Sequence, residues 1–244
     1  MITPRRLSLL ALSLAASALL VVGCASQSPS AAPTSTPTDA TDAPASIDDR
    51  DAQDVEAAWI DGGRGVAIVT WGSSTCLPLV EAVAADGQSV SITLAEADPS
   101  ATCTDDLVPR ASSVGLPSGV DPTKDVELTV TYGDLVADTD LDGLAEAADP
   151  ESETDYEPSA GWFDDQGIVL LTWGSSSCQP QLEKIDQTAT TATATFFTTD
   201  GVCTMDMAPR LTILGLPNEH EGDAPLELVL TGGGLDATVT VLGD

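Results

Sequence analysis

Positive charge is scarce in this chain. Eight lysines and arginines and one histidine stand among 244 residues, against 39 aspartates and glutamates, giving a formal net charge of −31. Such a surface repels phosphate backbones and anionic headgroups, so no nucleic-acid partner is expected. A single histidine, His220, leaves a serine triad without a duplicated base and zinc chemistry without ligands. Aromatic residues make up 4% of the sequence, too few for a long sugar-binding platform. Carboxylates are plentiful, so a carboxylate-based cell-wall hydrolase is the one enzymatic reading left, and it ranks last. No enzyme and no cofactor are expected. Asparagine occurs once, at Asn218, and beyond residue 22 no apolar run approaches the length of a membrane-spanning helix.

What is present begins with a leader. Arg5 and Arg6 precede an apolar run over residues 7–22, the plan of a secretory signal peptide. The run ends in Val21-Val22-Gly23-Cys24, which resembles the lipobox of bacterial lipoproteins: branched apolar residues, a small residue, then a cysteine. The resemblance implies cleavage before Cys24, lipidation of that thiol, and localisation at the cell membrane on its extracytoplasmic side. Two acyl chains suffice for stable anchoring. Loss of Arg5 and Arg6 with the leader makes the mature chain more acidic still. Residues 24–53 are rich in Ser, Thr, Pro, Ala and Asp and cannot bury enough apolar surface to fold, so they read as a tether with a reach on the order of 30 Å.

The rest of the chain is a duplication. Trp71-Gly72-Ser73-Ser74-Thr75-Cys76 recurs as Trp173-Gly174-Ser175-Ser176-Ser177-Cys178, and Cys103-Thr104-Asp105-Asp106 recurs as Cys203-Thr204-Met205-Asp206. Pro109-Arg110 returns as Pro209-Arg210, and Trp59 aligns with Trp162. Two repeats follow, over 54–142 and 159–244, joined by an acidic linker over 143–158. Each repeat holds its own two cysteines, which predicts Cys76 bonded to Cys103 and Cys178 to Cys203, in keeping with an oxidising location.

The patterning is that of strands. Val90, Ile92 and Leu94 alternate with Ser and Thr, as do Ala192, Ala194 and Phe196 in the second repeat, the period of a half-buried strand. Residues 66–69 and 168–171 are continuously apolar, which suits a central strand covered on both faces. Asp86-Gly87 signals a tight hairpin. The predicted class is all-β, as two tandem small antiparallel sandwiches, loosely immunoglobulin-like, or barrels.

Three candidate sites emerge. The Trp-Gly-Ser-Ser-x-Cys motif is either a ligand-facing loop or a structural turn whose indole packs on the disulfide, the second being favoured. Arg110 and Arg210, each four residues after Asp106 or Asp206, are predicted structural ion pairs that also clamp loop carbonyls. Asp138, Asp140, Asp142 and Asp149 have the spacing of a partial calcium loop, but alignment with the last strand of the second repeat would make the first three outward-facing strand residues.

The repeats as a whole resemble those of cell-envelope lipoproteins of high-GC Gram-positive bacteria, a likeness that covers both copies and implies kinship without an activity. The expected function is a non-enzymatic binding module on a membrane anchor, facing an envelope protein, a peptide or cell-wall material. A calcium-responsive module through the 138–149 segment is the alternative.

Overall fold

A computed structural model describes residues 52–96, 98, 100–198, 201–220 and 225–243, all within one compact unit. The leader, Cys24 and the tether up to residue 51 lie outside the described residues. The protein is all-β: no α-helix occurs among the described residues.

The first repeat contributes β1 (Val55–Ile60), β2 (Gly65–Gly72), β3 (Pro78–Asp86), β4 (Ser89–Glu96), β5 (Val108–Gly115), β6 (Val126–Tyr132) and β7 (Leu135–Leu141), with one 3-10 turn at Asp61–Gly63. The second contributes β8 (Ser159–Asp164), β9 (Gly167–Gly174), β10 (Gln181–Gln187), β11 (Thr191–Phe197), β12 (Ala208–Gly215), β13 (Glu227–Gly232) and β14 (Leu235–Leu242). In the first repeat, β1-β2-β5 form a three-stranded sheet and β3-β4-β6-β7 a four-stranded one. The second repeats both, but Val241 and Leu242 of β14 pair with Ala160 and Gly161 of β8, fusing its two sheets into one of seven strands.

The pairing is not wholly antiparallel, contrary to the expectation from sequence. β4 with β6, β11 with β13 and β14 with β8 are parallel. Between β4 and β6 the chain leaves to build β5 in the other sheet, which supplies the crossover connection that a parallel pair requires. The hairpin at Asp86 forms as the sequence indicates, with Gly87 at φ +64° between β3 and β4.

Alternating strands place one face of each four-stranded sheet inward. In β4, Val90, Ile92 and Leu94 are buried while Ser89 and Ser91 are exposed. They meet Val126, Leu128 and Val130 of β6, and Trp59, Val66 and Ile68 from the three-stranded sheet, in a single core. The second repeat builds the same core from Ile168, Leu170, Phe196, Leu214, Leu228 and Leu230.

A third core lies between the repeats. Ala58, Ile60, Ala67, Val69 and Trp71 pack with Phe163, Val169 and Leu171. This is why residues 66–69 and 168–171 are apolar without alternation: alternate side chains of β2 face the core of their own repeat, and the others face the second repeat. The strands approach so closely that a Cβ at Gly161 would sit 2.0 Å from the Trp59 carbonyl oxygen. The segment 143–158 is strapped down across the first repeat. Leu144 is buried, its N–H donates to the Pro122 carbonyl and the Ala148 N–H donates to the Gly62 carbonyl.

Candidate functional site

The repeated motifs converge at one end of each repeat, here called the tip. β2 ends at Trp71 and Gly72, and the loop that follows is tied by Cys76–Cys103 to the segment leading into β5; Cys178–Cys203 does the same in the second repeat, ahead of β12. The bridges join residues 27 and 25 positions apart. Loops of that size imply about 3.5 kcal/mol each in the chain-entropy treatment.

The loop is held from two sides. On the exposed side Thr104 is the hub: its hydroxyl lies 2.7 Å from Ser73 Oγ and 3.3 Å from both Ser74 Oγ and Thr75 Oγ1, and it donates to Asp106 Oδ1. Asp106 also accepts the Ser74 N–H at 3.1 Å. Thr204, Ser175, Ser176, Ser177 and Asp206 reproduce this cluster in the second repeat. Donation first from the threonine hydroxyl and then from Ser74 or Ser176 holds each aspartate at a pKa of about 2, well below its ordinary value of 3.8.

From beneath, the buried guanidinium of Arg110 donates to the Cys76 carbonyl at 2.6 Å and the Ser73 carbonyl at 3.4 Å. Arg210 donates to the Cys178 carbonyl at 3.2 Å and the Trp173 carbonyl at 2.8 Å. Burial lowers the Arg210 pKa. Glycine is needed above each arginine, because a Cβ at Gly72 would lie 2.7 Å from Arg110 Cζ and one at Gly174 would lie 2.9 Å from Arg210 Nη1.

This arrangement corrects the expected ion pairs. Arg110 and Arg210 clamp loop carbonyls as anticipated, but neither pairs with Asp106 or Asp206, which bind the other side of the loop. A four-residue spacing brings side chains together on a helix; along an extended chain it separates them by about 13 Å. Trp71 is buried, as the structural reading of the motif requires, and its ring meets Phe163 of the other repeat edge-on at 6.3 Å. Trp173 is half-buried against Tyr156, with ring centroids 5.1 Å apart.

Asp138 and Asp140 lie on the exposed face of β7, where Asp138 accepts from Thr129 Oγ1 at 2.8 Å. Asp142 follows the strand, and its backbone carbonyl accepts the Trp59 indole N–H at 2.8 Å. Asp149 is in the strapped segment, accepting the Glu151 N–H. Among the described residues, no three His, Cys, Asp or Glu side chains come together as a metal-holding group.

Sequence reasoning missed two features. Apolar side chains crowd the tips: Leu77, Leu79 and Leu107 are about half exposed in the first repeat, while Val202 and Met205 are fully exposed and Met207 largely so in the second. In the first repeat they come from two segments joined by Cys76–Cys103, whereas in the second all three lie within residues 202–207 beside Cys203. The other feature is a cleft of about 350 Å³ at the junction of the repeats, walled by Trp162 and His220, whose rings stack at 5.2 Å and 15°.

The tips point in opposite directions. Trp71, at the tip end of β2, touches Phe163 at the far end of β8. Conversely Ser159, paired with Leu171 toward the second tip, accepts the N–H of Asp61 from the far end of the first repeat. No family model, curated protein or solved structure matches this chain.

Proposed function

We propose that this protein is a lipid-anchored, non-enzymatic binding module of the bacterial envelope, held at the extracytoplasmic face through Cys24, with its two repeats as small sandwiches docked back to back. The observation that carries the reading is the pair of tips. The motif residues, Ser73, Ser74, Thr75, Thr104, Asp106 and Arg110 with their counterparts, bond to one another and make each loop stiff. That stiffness presents apolar side chains to solvent at low ordering cost, and exposed apolar groups on a fixed loop are the usual mark of a protein-contact surface. Exposed methionine adapts to varied partners.

The opposed tips give the duplication a geometric meaning. Two sites facing opposite ways cannot grip one flat surface; they bridge two partners. β1 begins opposite Thr70, so the chain enters the body at the first tip. The second tip, bearing Val202, Met205 and Met207, therefore lies at the end remote from the tether. His220 stacks on Trp162, and the motif serines are engaged with Thr104 and Asp106 or their equivalents.

Cross-linked pull-down from envelope membranes tests this, with the full chain compared with Met205→Asp/Met207→Asp. Capture of a discrete protein that the double variant loses is the expected result. Capture that is equal for both chains, or no capture above background, overturns it.

A further inference from the structure

Methionine is confined to one place in the folded body. The chain has three, of which Met1 belongs to the leader and Met205 and Met207 stand on the second tip. The buried apolar side chains among the described residues are Val, Leu, Ile, Ala, Phe and Trp, with no thioether among them. Met205 is fully exposed and Met207 is 61% exposed. The first repeat has Asp105 and Leu107 at the equivalent positions. The thioethers therefore distinguish the second tip and are no part of the shared fold.

The loop beneath them is held by other groups. Asp206, between the two methionines, accepts the Thr204 hydroxyl and the Ser176 N–H, while Arg210 grips the facing loop through the Cys178 and Trp173 carbonyls. The other oxidisable side chains are protected. Cys76 is bonded to Cys103 and Cys178 to Cys203, so among the described residues no thiol competes for an oxidant. Trp59 and Trp71 are buried, Trp162 stacks on His220, and Trp173 packs against Tyr156. A net charge of −31 repels anionic oxidants and leaves uncharged ones to approach this surface.

We propose that Met205 and Met207 form an oxidative modification site, at which hydrogen peroxide converts the thioethers to sulfoxides and so releases the partner held by the second tip. The release rests on the tip-binding reading above; the modification does not. A sulfur lone pair attacks one peroxide oxygen, and the S–O bond forms as the O–O bond breaks. The proton of the transferred oxygen goes to the departing hydroxide, which leaves as water; sulfur is oxidised and the peroxide reduced. The product exchanges a flexible apolar side chain for a polar one. Contact area built on the thioethers is lost, while the Thr204, Asp206 and Arg210 bonds that shape the loop remain. Met205 reacts ahead of Met207, in the order of their exposure.

Peptide mapping by mass spectrometry tests the modification, on the full chain in dodecyl maltoside exposed to graded hydrogen peroxide. One oxygen should be gained at Met205 and then at Met207, before any tryptophan reacts, with both disulfides and the circular dichroism spectrum unchanged. Oxidation of a tryptophan ahead of Met205, or unfolding in step with sulfoxide formation, overturns the assignment. Release is read by cross-linked pull-down from envelope membranes. Oxidised and untreated parent are compared with Met205→Leu/Met207→Leu, which keeps the tip apolar, taken through the same treatment. Oxidation should cut capture by the parent about tenfold and leave capture by the leucine variant unchanged. Equal capture by oxidised and untreated parent, or an equal loss from the leucine variant, overturns the release alone. No capture by the untreated parent defeats the tip-binding reading, and the release with it, while the peptide map still decides the modification.

Discussion

Adding one methyl group at Gly161 probes how the two repeats are joined. A Cβ there would fall 2.0 Å from the Trp59 carbonyl oxygen and 3.0 Å from the Trp59 backbone C and N atoms. Carbon and oxygen approach to roughly 3.3 Å in strand-to-strand contacts, so β1 and β8 would have to part by roughly 1.3 Å. Neither strand can yield cheaply, because Ala58 and Ala160 beside the contact are fully buried and the obstruction is backbone. Overpacking of this kind costs about 1–3 kcal/mol. The reduced freedom of alanine in the unfolded chain acts the other way by about 0.5–1 kcal/mol. At the middle of each range the net loss is about 1.25 kcal/mol, and for a body of this size each kcal/mol lowers Tm by roughly 2–4 °C. Gly161→Ala should therefore melt roughly 2–5 °C below the parent by circular dichroism. Gly115→Ala is the control, since nothing lies within 4 Å of a Cβ there. A Gly161→Ala protein as stable as the parent, or more stable, would refute the close docking of β1 on β8.

Two further outcomes concern the tips. Arg110→Met removes charged donors from the Cys76 and Ser73 carbonyls and should cost about 1.5–3 kcal/mol in urea denaturation; it should also speed reduction of Cys76–Cys103 by dithiothreitol relative to Cys178–Cys203. Asp106 and Asp206 have folded pKa values of about 2 against 3.8, so the unfolded chain takes up protons first as acid is added. Their contribution is complete above the unfolded value and is lost as the pH falls from 3.8 toward 2. The Ser74 and Ser176 amide resonances of the folded chain should move with a midpoint near pH 2, and Asp106→Asn/Asp206→Asn should abolish the movement.

Much of the fold was legible because strand periodicity and duplication are local signals. Val90, Ile92 and Leu94 declared their buried face, and residues 66–69 declared that β2 is covered twice. Neither could say what covers it, since an unbroken apolar run specifies burial without naming the partner, and the partner is the other repeat. The disulfides followed from each repeat keeping its own pair. The supposed link between Asp106 and Arg110 misled, because sequence spacing does not reveal that the chain between them is extended. Asp138 and Asp140 read correctly as outward-facing through alignment with β14, where their spacing alone suggested a metal loop. The cleft beside Trp162 could have been suspected from one sign: His220 stands where the first repeat has Val120. The parallel return of β6 beside β4 left no such sign, since strand direction depends on where β5 goes and not on which residues β6 contains.

The claim on which the rest depends is that the two repeats move as one body through Trp71, Phe163 and the small residues between them. Backbone ¹⁵N relaxation tests it directly. Amides of β4 in the first repeat and β11 in the second should report one common rotational correlation time, suited to a body spanning residues 52–243. Two shorter and unequal times, one for each repeat, would contradict it.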